Sequence, residues 1–153
     1  MNREEFMARV AHHCWVSYQM ATGQPYNVDP TETQVKSQLD GVRFFLKNQN
    51  ATSEQNHENW MKCRLADGWK HGPVKDEAKK EHPDLIPYSK LPEVERAKDD
   101  MDLASRRFAL RMWYSLHPED AIPGIIQALD KIHERMEAFS KEIVNLQLGR
   151  KTK

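Results

Sequence analysis

The chain has 153 residues, with 23 basic and 23 acidic side chains and a formal net charge of zero, which sets it apart from general nucleic-acid binders with their basic excess and pI above about 9. Its length fits one compact domain, and charged residues make up 30% of it at a mean hydropathy of -0.84, so long surface helices or an oligomer are expected rather than a large apolar core. Cys14 and Cys63, with no secretory signal and no apolar run of membrane length, read as reduced thiols in a cytoplasmic protein that needs no disulfide and does not enter a membrane.

Phe6, Val10, Cys14 and Tyr18 recur at i, i+4 and predict an amphipathic helix over residues 2–21, with Asn2 as N-cap and Glu4 and Glu5 in its first turn. Thr22-Gly23-Gln24-Pro25 ends it. A second helix is predicted over 31–47, begun by Asp29-Pro30 or Thr31, with Val35, Leu39, Val42, Phe45 and Leu46 on one face. After a polar loop, Ser53 opens a third helix that carries Trp60, Met61 and Leu65 and reaches about Ala66. There Asp67-Gly68-Trp69 stops it, glycine being suited to a left-handed turn.

Residues 69–91 combine Pro73, Pro83 and Pro87 with Trp69, Leu85, Ile86, Tyr88 and Leu91, which predicts a structured loop, since a mobile linker would not carry that apolar content. A fourth helix starts at Pro92, bears Leu103, Phe108, Leu110, Met112 and Trp113, and is broken by His117-Pro118. Beyond it Ile125, Leu129, Ile132, Met136, Phe139, Ile143 and Leu146 alternate spacings of four and three, the a/d seam of a coiled coil. The seam is too short to hold chains together alone and long enough to assist a folded domain in pairing, as a homodimer or higher even oligomer. The alternative is a helix packed on its own domain. The expected fold is mainly α: a compact helical domain with a long Pro-rich structured loop over residues 1–117, then a C-terminal oligomerisation helix and basic tail over 118–153.

Chemistry-bearing residues gather around the third helix. An indole face can stack on a nucleobase for about 1–3 kcal/mol, which brings forward Trp60 and Trp69. Arg64 follows Trp60 at i+4 on the same helical face, and His71 and Lys75 in the next loop add donors for phosphate. Taken singly, Trp69 is the anchor of its turn, and Arg64 and Lys75 are solvated surface charges. Adjacent His12, His13 and Cys14 point to different helix faces and do not make a metal site. His57-Glu58 lacks the second histidine of H-E-x-x-H, since position 61 is Met61. Asp99, Asp100, Glu93 and Glu95 read as surface groups that complement a helix dipole. No nucleophile, metal cluster or cofactor motif emerges, and the reading is of a non-enzyme.

One stretch is more specific than these separate residues. Across 57–96 the chain places His57, Glu58, Trp60, then Gly68-Trp69 and Gly72-Pro73-Val74, Asp76, then His82-Pro83, Leu85, Pro87-Tyr88, Leu91-Pro92-Glu93 and Glu95-Arg96 in a set order. That order resembles the RyR domain, the repeat named for ryanodine receptors, which also occurs alone in bacterial and phage proteins. Ala8 to His12, Tyr18 and Gly41-Val42-Arg43-Phe44 resemble the amino-terminal part of the single-domain members, so the resemblance spans roughly 8–110, with the core repeat at 57–112. His71 stands where the family usually has tyrosine, and Asp84 where it commonly has cysteine. The resemblance implies that Trp60 stacks on an adenine ring, with His57 and Tyr88 among the ligand contacts and two repeats face to face, which a single-repeat chain rebuilds by dimerising. The expected function is therefore non-enzymatic binding of an adenine-containing nucleotide, in its sharper form sequestration of a cyclic or ADP-ribose-type immune messenger by a phage. Its rivals are a protein-interaction scaffold working through the heptads and, third, a nucleotide-cleaving enzyme.

Overall fold

The structure, a computed structural model, describes residues 1–150, with side chains described through residue 143. It divides into two compact units, residues 1–113 and the residues from Tyr114 onward. The architecture is mainly α. Helices α1 (Arg3–Ala21), α2 (Glu32–Lys47), α3 (Ser53–Ala66) and most of α4 (Glu93–Leu116) build the first unit, and α5 (Ile122–Arg150) dominates the second.

The first three helices begin with one device. Asn2, Thr31 and Thr52 each accept a hydrogen bond from the backbone three residues on, and Glu5, Gln34 and Gln55 reach back to the cap N–H. Such a capping box satisfies two otherwise orphaned donors at each start, and losing a cap side chain costs about 0.5–2 kcal/mol. Thr52 performs this role in α3, which begins at Ser53 and ends at Ala66 as its sequence predicts.

Helices α1 and α2 run antiparallel, tied by Arg43 to Glu4 at 3.0 Å, and α2 and α3 do likewise through the Lys36–Asp67 ion pair. Helix α4 lies along α1 in the opposite sense: Tyr18 Oη donates to the Val94 carbonyl at one end, and the Phe6 and Trp113 rings meet at 5.5 Å at the other. Met7, Val42 and Phe45 form the fully buried centre. The buried face of α1 is Met7, Ala8, Ala11, His12, Val16 and Gln19, turned from the Phe6–Val10–Cys14–Tyr18 stripe, whose members are half-buried. In α4, Leu103, Leu110 and Trp113 are buried but Phe108 is exposed.

Between α3 and α4 the chain makes more regular structure than a loop. Strands β1 (Lys70–His71) and β2 (Glu81–His82) pair in parallel, and a short 3-10 turn covers Tyr88–Lys90. Two glycines make this compact. Gly68 turns out of α3 at φ +83°, in the left-handed region, while a Cβ on Gly72 would stand 2.7 Å from the Glu81 Cβ, too close for any side chain.

In the second unit, a 3-10 turn at Pro118–Asp120 precedes α5, with Pro123 tolerated in its first turn. Ile125, Leu129, Ile132, Met136, Phe139 and Ile143 are all exposed, between 39% and 66%. The Leu146 side chain lies outside the described residues. Among the described residues no helix is long and apolar enough to cross a membrane.

Candidate functional site

Helix α3 buries polar side chains. Its buried residues are Asn56, His57 and Arg64, while Leu65, read above as part of its apolar content, is 53% exposed. A buried polar face is costly unless each group is partnered, and two of the three are. Each is answered from α4.

His57 is the first. Its Nδ1 lies 3.2 Å from Asp99 Oδ2 and its Nε2 2.9 Å from the Ile86 carbonyl. Both ring nitrogens face acceptors, so the imidazolium is the form that satisfies them. Burial weighs against that charge, but the Asp99 and Ile86 hydrogen bonds outweigh it and hold the ring above its ordinary pKa. Burial also lifts the Asp99 carboxyl, with His57 opposing. Asp99 is thus a half-buried partner of His57 and not the surface dipole group its sequence context indicated.

Asn56 belongs to a second network. Arg106, only 4% exposed, donates to Asn56 Oδ1 at 2.8 Å and pairs with Asp102 Oδ2 at 2.5 Å, and Asn56 Nδ2 closes the triangle on the same carboxylate at 3.1 Å.

Arg64 is different. It is 9% exposed, with its guanidinium 4.8 Å from the centre of the Trp69 ring and 5.9 Å from that of Trp60. Cation–π contact of this kind contributes about 2 kcal/mol when desolvated. Among the described residues no carboxylate pairs with Arg64, and its Nε has no hydrogen-bond partner. Burial consequently lowers the guanidinium pKa, against the pull of the more distant Asp67, Glu77 and Asp40.

His82, brought in by β2, completes the aromatic cluster, edge-on to Trp60 at 5.1 Å and 6.3 Å from Trp69. Its Nδ1 accepts from the Asp84 N–H at 3.2 Å, and burial, with Lys75 and Arg64 nearby, depresses its pKa to about 4. His82 is therefore neutral at physiological pH, and its 3.8 Å approach to the Asp84 carboxylate is no ion pair. Asp84 itself is pushed up to about 6, by burial first and by Glu95 next. Glu95, like Asp99, is no free surface charge: it pairs with Lys98 at 2.7 Å.

These groups wall a partly open cavity of about 670 Å³ bordered by α1, α2, α3, the β1–β2 segment and the first half of α4. His57, Trp60, Arg64 and Lys75 line it. Trp69 lies behind the wall, 5% exposed, as the support of Arg64. His71 is exposed on β1, and Tyr88 packs on the far side of His57 at 5.9 Å; neither lines the cavity. Hydropathy patterns gave no sign of Trp15, Gln19 and Gln38, which line it from α1 and α2, or of Asp102 and Arg106 from α4. Polar residues at core spacing on α3 were the one signal available.

A family model for the RyR domain matches residues 24–115. The chain belongs to the RyR-domain family. The match includes every side chain of the Trp60–Arg64–Trp69–His82 cluster and both α3–α4 networks. The RyR domain as matched therefore contains α2, α3, the β1–β2 segment and nearly all of α4, while α1 precedes it. Within the RyR domain the Gly-Trp turn and the close approach of Gly72 to Glu81 accompany the β1–β2 pairing that sets His82 edge-on to Trp60.

Proposed function

We propose that this RyR-domain protein binds an adenine-containing nucleotide without transforming it. Arg64 carries the reading. A buried guanidinium with no carboxylate partner among the described residues, set beside two indoles on a cavity wall, suits an anion, and arginine's planar fork suits phosphate. Trp60, half-buried on the same wall, offers a ring for stacking. Lys75, 43% exposed and 3.5 Å from Glu77, adds a movable cation at the rim. The finer reading is sequestration of a nucleotide messenger in the bacterial cytoplasm by a phage-encoded protein.

Calorimetric titration with ADP, adenosine and UDP tests this. ADP is expected to bind far more tightly than adenosine, and UDP more weakly than ADP. Arg64→Ala should cost roughly 1.5–3 kcal/mol toward ADP and much less toward adenosine, and Trp60→Ala roughly 1–3 kcal/mol toward both. Equal losses on ADP and adenosine in Arg64→Ala would return that residue to a structural role.

The apolar seam of α5 supports a second element of the reading, self-association through a second copy of the same helix. Its spacings of four and three leave one continuous exposed stripe from Ile125 to Ile143, of the kind that parallel or antiparallel helices bury by knobs-into-holes packing. Light scattering at micromolar concentration should give an even oligomer for the full chain and a monomer for Leu129→Glu/Met136→Glu. A monomeric wild-type protein would refute the pairing.

A further inference from the structure

The cavity has a second polar wall that the RyR match includes only in part. Trp15 and Gln19, both on α1, line it and precede the matched residues 24–115. Trp15 is half-buried, and its ring is held in a stack on His12 at 5.5 Å and 28°. His12 is in turn anchored by Nε2 at 3.0 Å from the Val28 carbonyl. The indole is therefore positioned by packing and not by chance exposure.

Gln19 is 6% exposed. Its Nε2 donates to the Pro25 carbonyl at 2.9 Å, which settles the orientation of the amide, because only the nitrogen end can serve a carbonyl. Gln19 Oε1 is left buried with no donor, and Gln38 Oε1 on α2, also on the cavity wall, is in the same condition. Buried acceptors without partners are rare in folded proteins and ask for a cause. Two on one cavity wall are placed to accept N–H or O–H donors of a ligand, as an exocyclic amine or a ribose hydroxyl would supply.

The same cavity therefore carries two half-buried indoles on different helices, unpartnered acceptors on the α1–α2 side and, on the α3 side, a guanidinium whose Nε has no hydrogen-bond partner. Its volume of about 670 Å³ falls in the range of roughly 300–1,000 Å³ that encloses drug-sized ligands. We propose that α1, with α2, supplies a second ring-binding subsite, Trp15 and Gln19 with Gln38, so that one chain holds a ligand of two ring systems joined through phosphate, with the bridge at Arg64. This rests on the nucleotide reading above. It differs in placing both platforms in a single protomer, so that two-ring recognition does not depend on a second copy.

Two adenosines joined by a diphosphate serve as the probe, with ADP as the one-ring control, titrated calorimetrically on the full chain. The bridged dinucleotide should bind at least about tenfold tighter than ADP, and Trp15→Ala should weaken the dinucleotide by roughly 5- to 150-fold, the equivalent of one lost stacking contact, while leaving ADP within about twofold. Trp15→Phe should restore most of the loss. Gln38→Met keeps the side-chain length and removes the acceptor; it too should weaken only the dinucleotide, and it decides the matter if Trp15→Ala has lost its melting transition. Equal losses on both ligands, or a dinucleotide no tighter than ADP, overturn the second subsite while leaving the nucleotide reading intact. Failure of the wild-type chain to bind either probe removes the nucleotide reading and this inference with it.

Discussion

Trp69→Ala should destabilise the first unit by about 3–5 kcal/mol, the usual range for deleting a buried aromatic side chain. The ring is 5% exposed and lies directly after the left-handed Gly68, so it anchors the turn that leads from α3 into β1. Its loss removes more than apolar area. Arg64 would forfeit the closer of its two aromatic neighbours, at 4.8 Å, and remain a desolvated cation with Trp60 alone. His82 would lose one of the rings that hold it. Urea denaturation of wild type, Trp69→Ala and Trp69→Phe measures this, with the phenylalanine variant expected to retain most of the stability. A cost below about 1 kcal/mol, the level of an ordinary substitution, would show that the ring is a replaceable cover for the loop.

Asp102→Leu is expected to cost about 3–5 kcal/mol, because it leaves Arg106 charged, buried and uncompensated. Arg106 has Asp102 at 2.5 Å and Asn56 at 2.8 Å, and Asn56 depends on the same carboxylate. The double variant Asp102→Leu/Arg106→Met should regain a large part of the loss, since replacing a whole buried ion pair by apolar groups is often close to neutral. Chemical denaturation of both single variants and the double forms a complete cycle. If the double variant falls by the sum of the singles, the two residues do not act as a pair.

Both sites lie where the amino-acid sequence is least explicit. Helix boundaries were legible because they depend on local chemistry: Asn2 caps α1, Gly68 ends α3 and His117-Pro118 ends α4, each within reach of its own neighbours. The mainly α class followed from the same signals. The buried face of α3 was not legible, because hydropathy reads Asn56, His57 and Arg64 as solvent-facing and Leu65 as core, and the reverse holds. Only partners distant in the chain reverse it. Asp99 and Asp102, which look like surface charges on α4, are the groups that make His57 and Asn56 tolerable inside. Trp60 and Arg64 could be set on one face by i+4 spacing, but the support of Arg64 by Trp69 needs the turn at Gly68 and so exists only in three dimensions. His71 and Tyr88 differ from these: proximity in sequence to the Gly-Trp turn and the proline segment does not put them on the cavity.

Gly41 extends the Arg106 network to a fourth residue by having no side chain. A Cβ built there would lie 2.2 Å from Arg106 Nη2 and 2.7 Å from its Cζ. The guanidinium thus occupies the volume that any other residue at position 41 would fill, and positions 41 and 106 share one space. Even a methyl group at position 41 would therefore displace the guanidinium at 106 from the place where it meets Asp102 and Asn56.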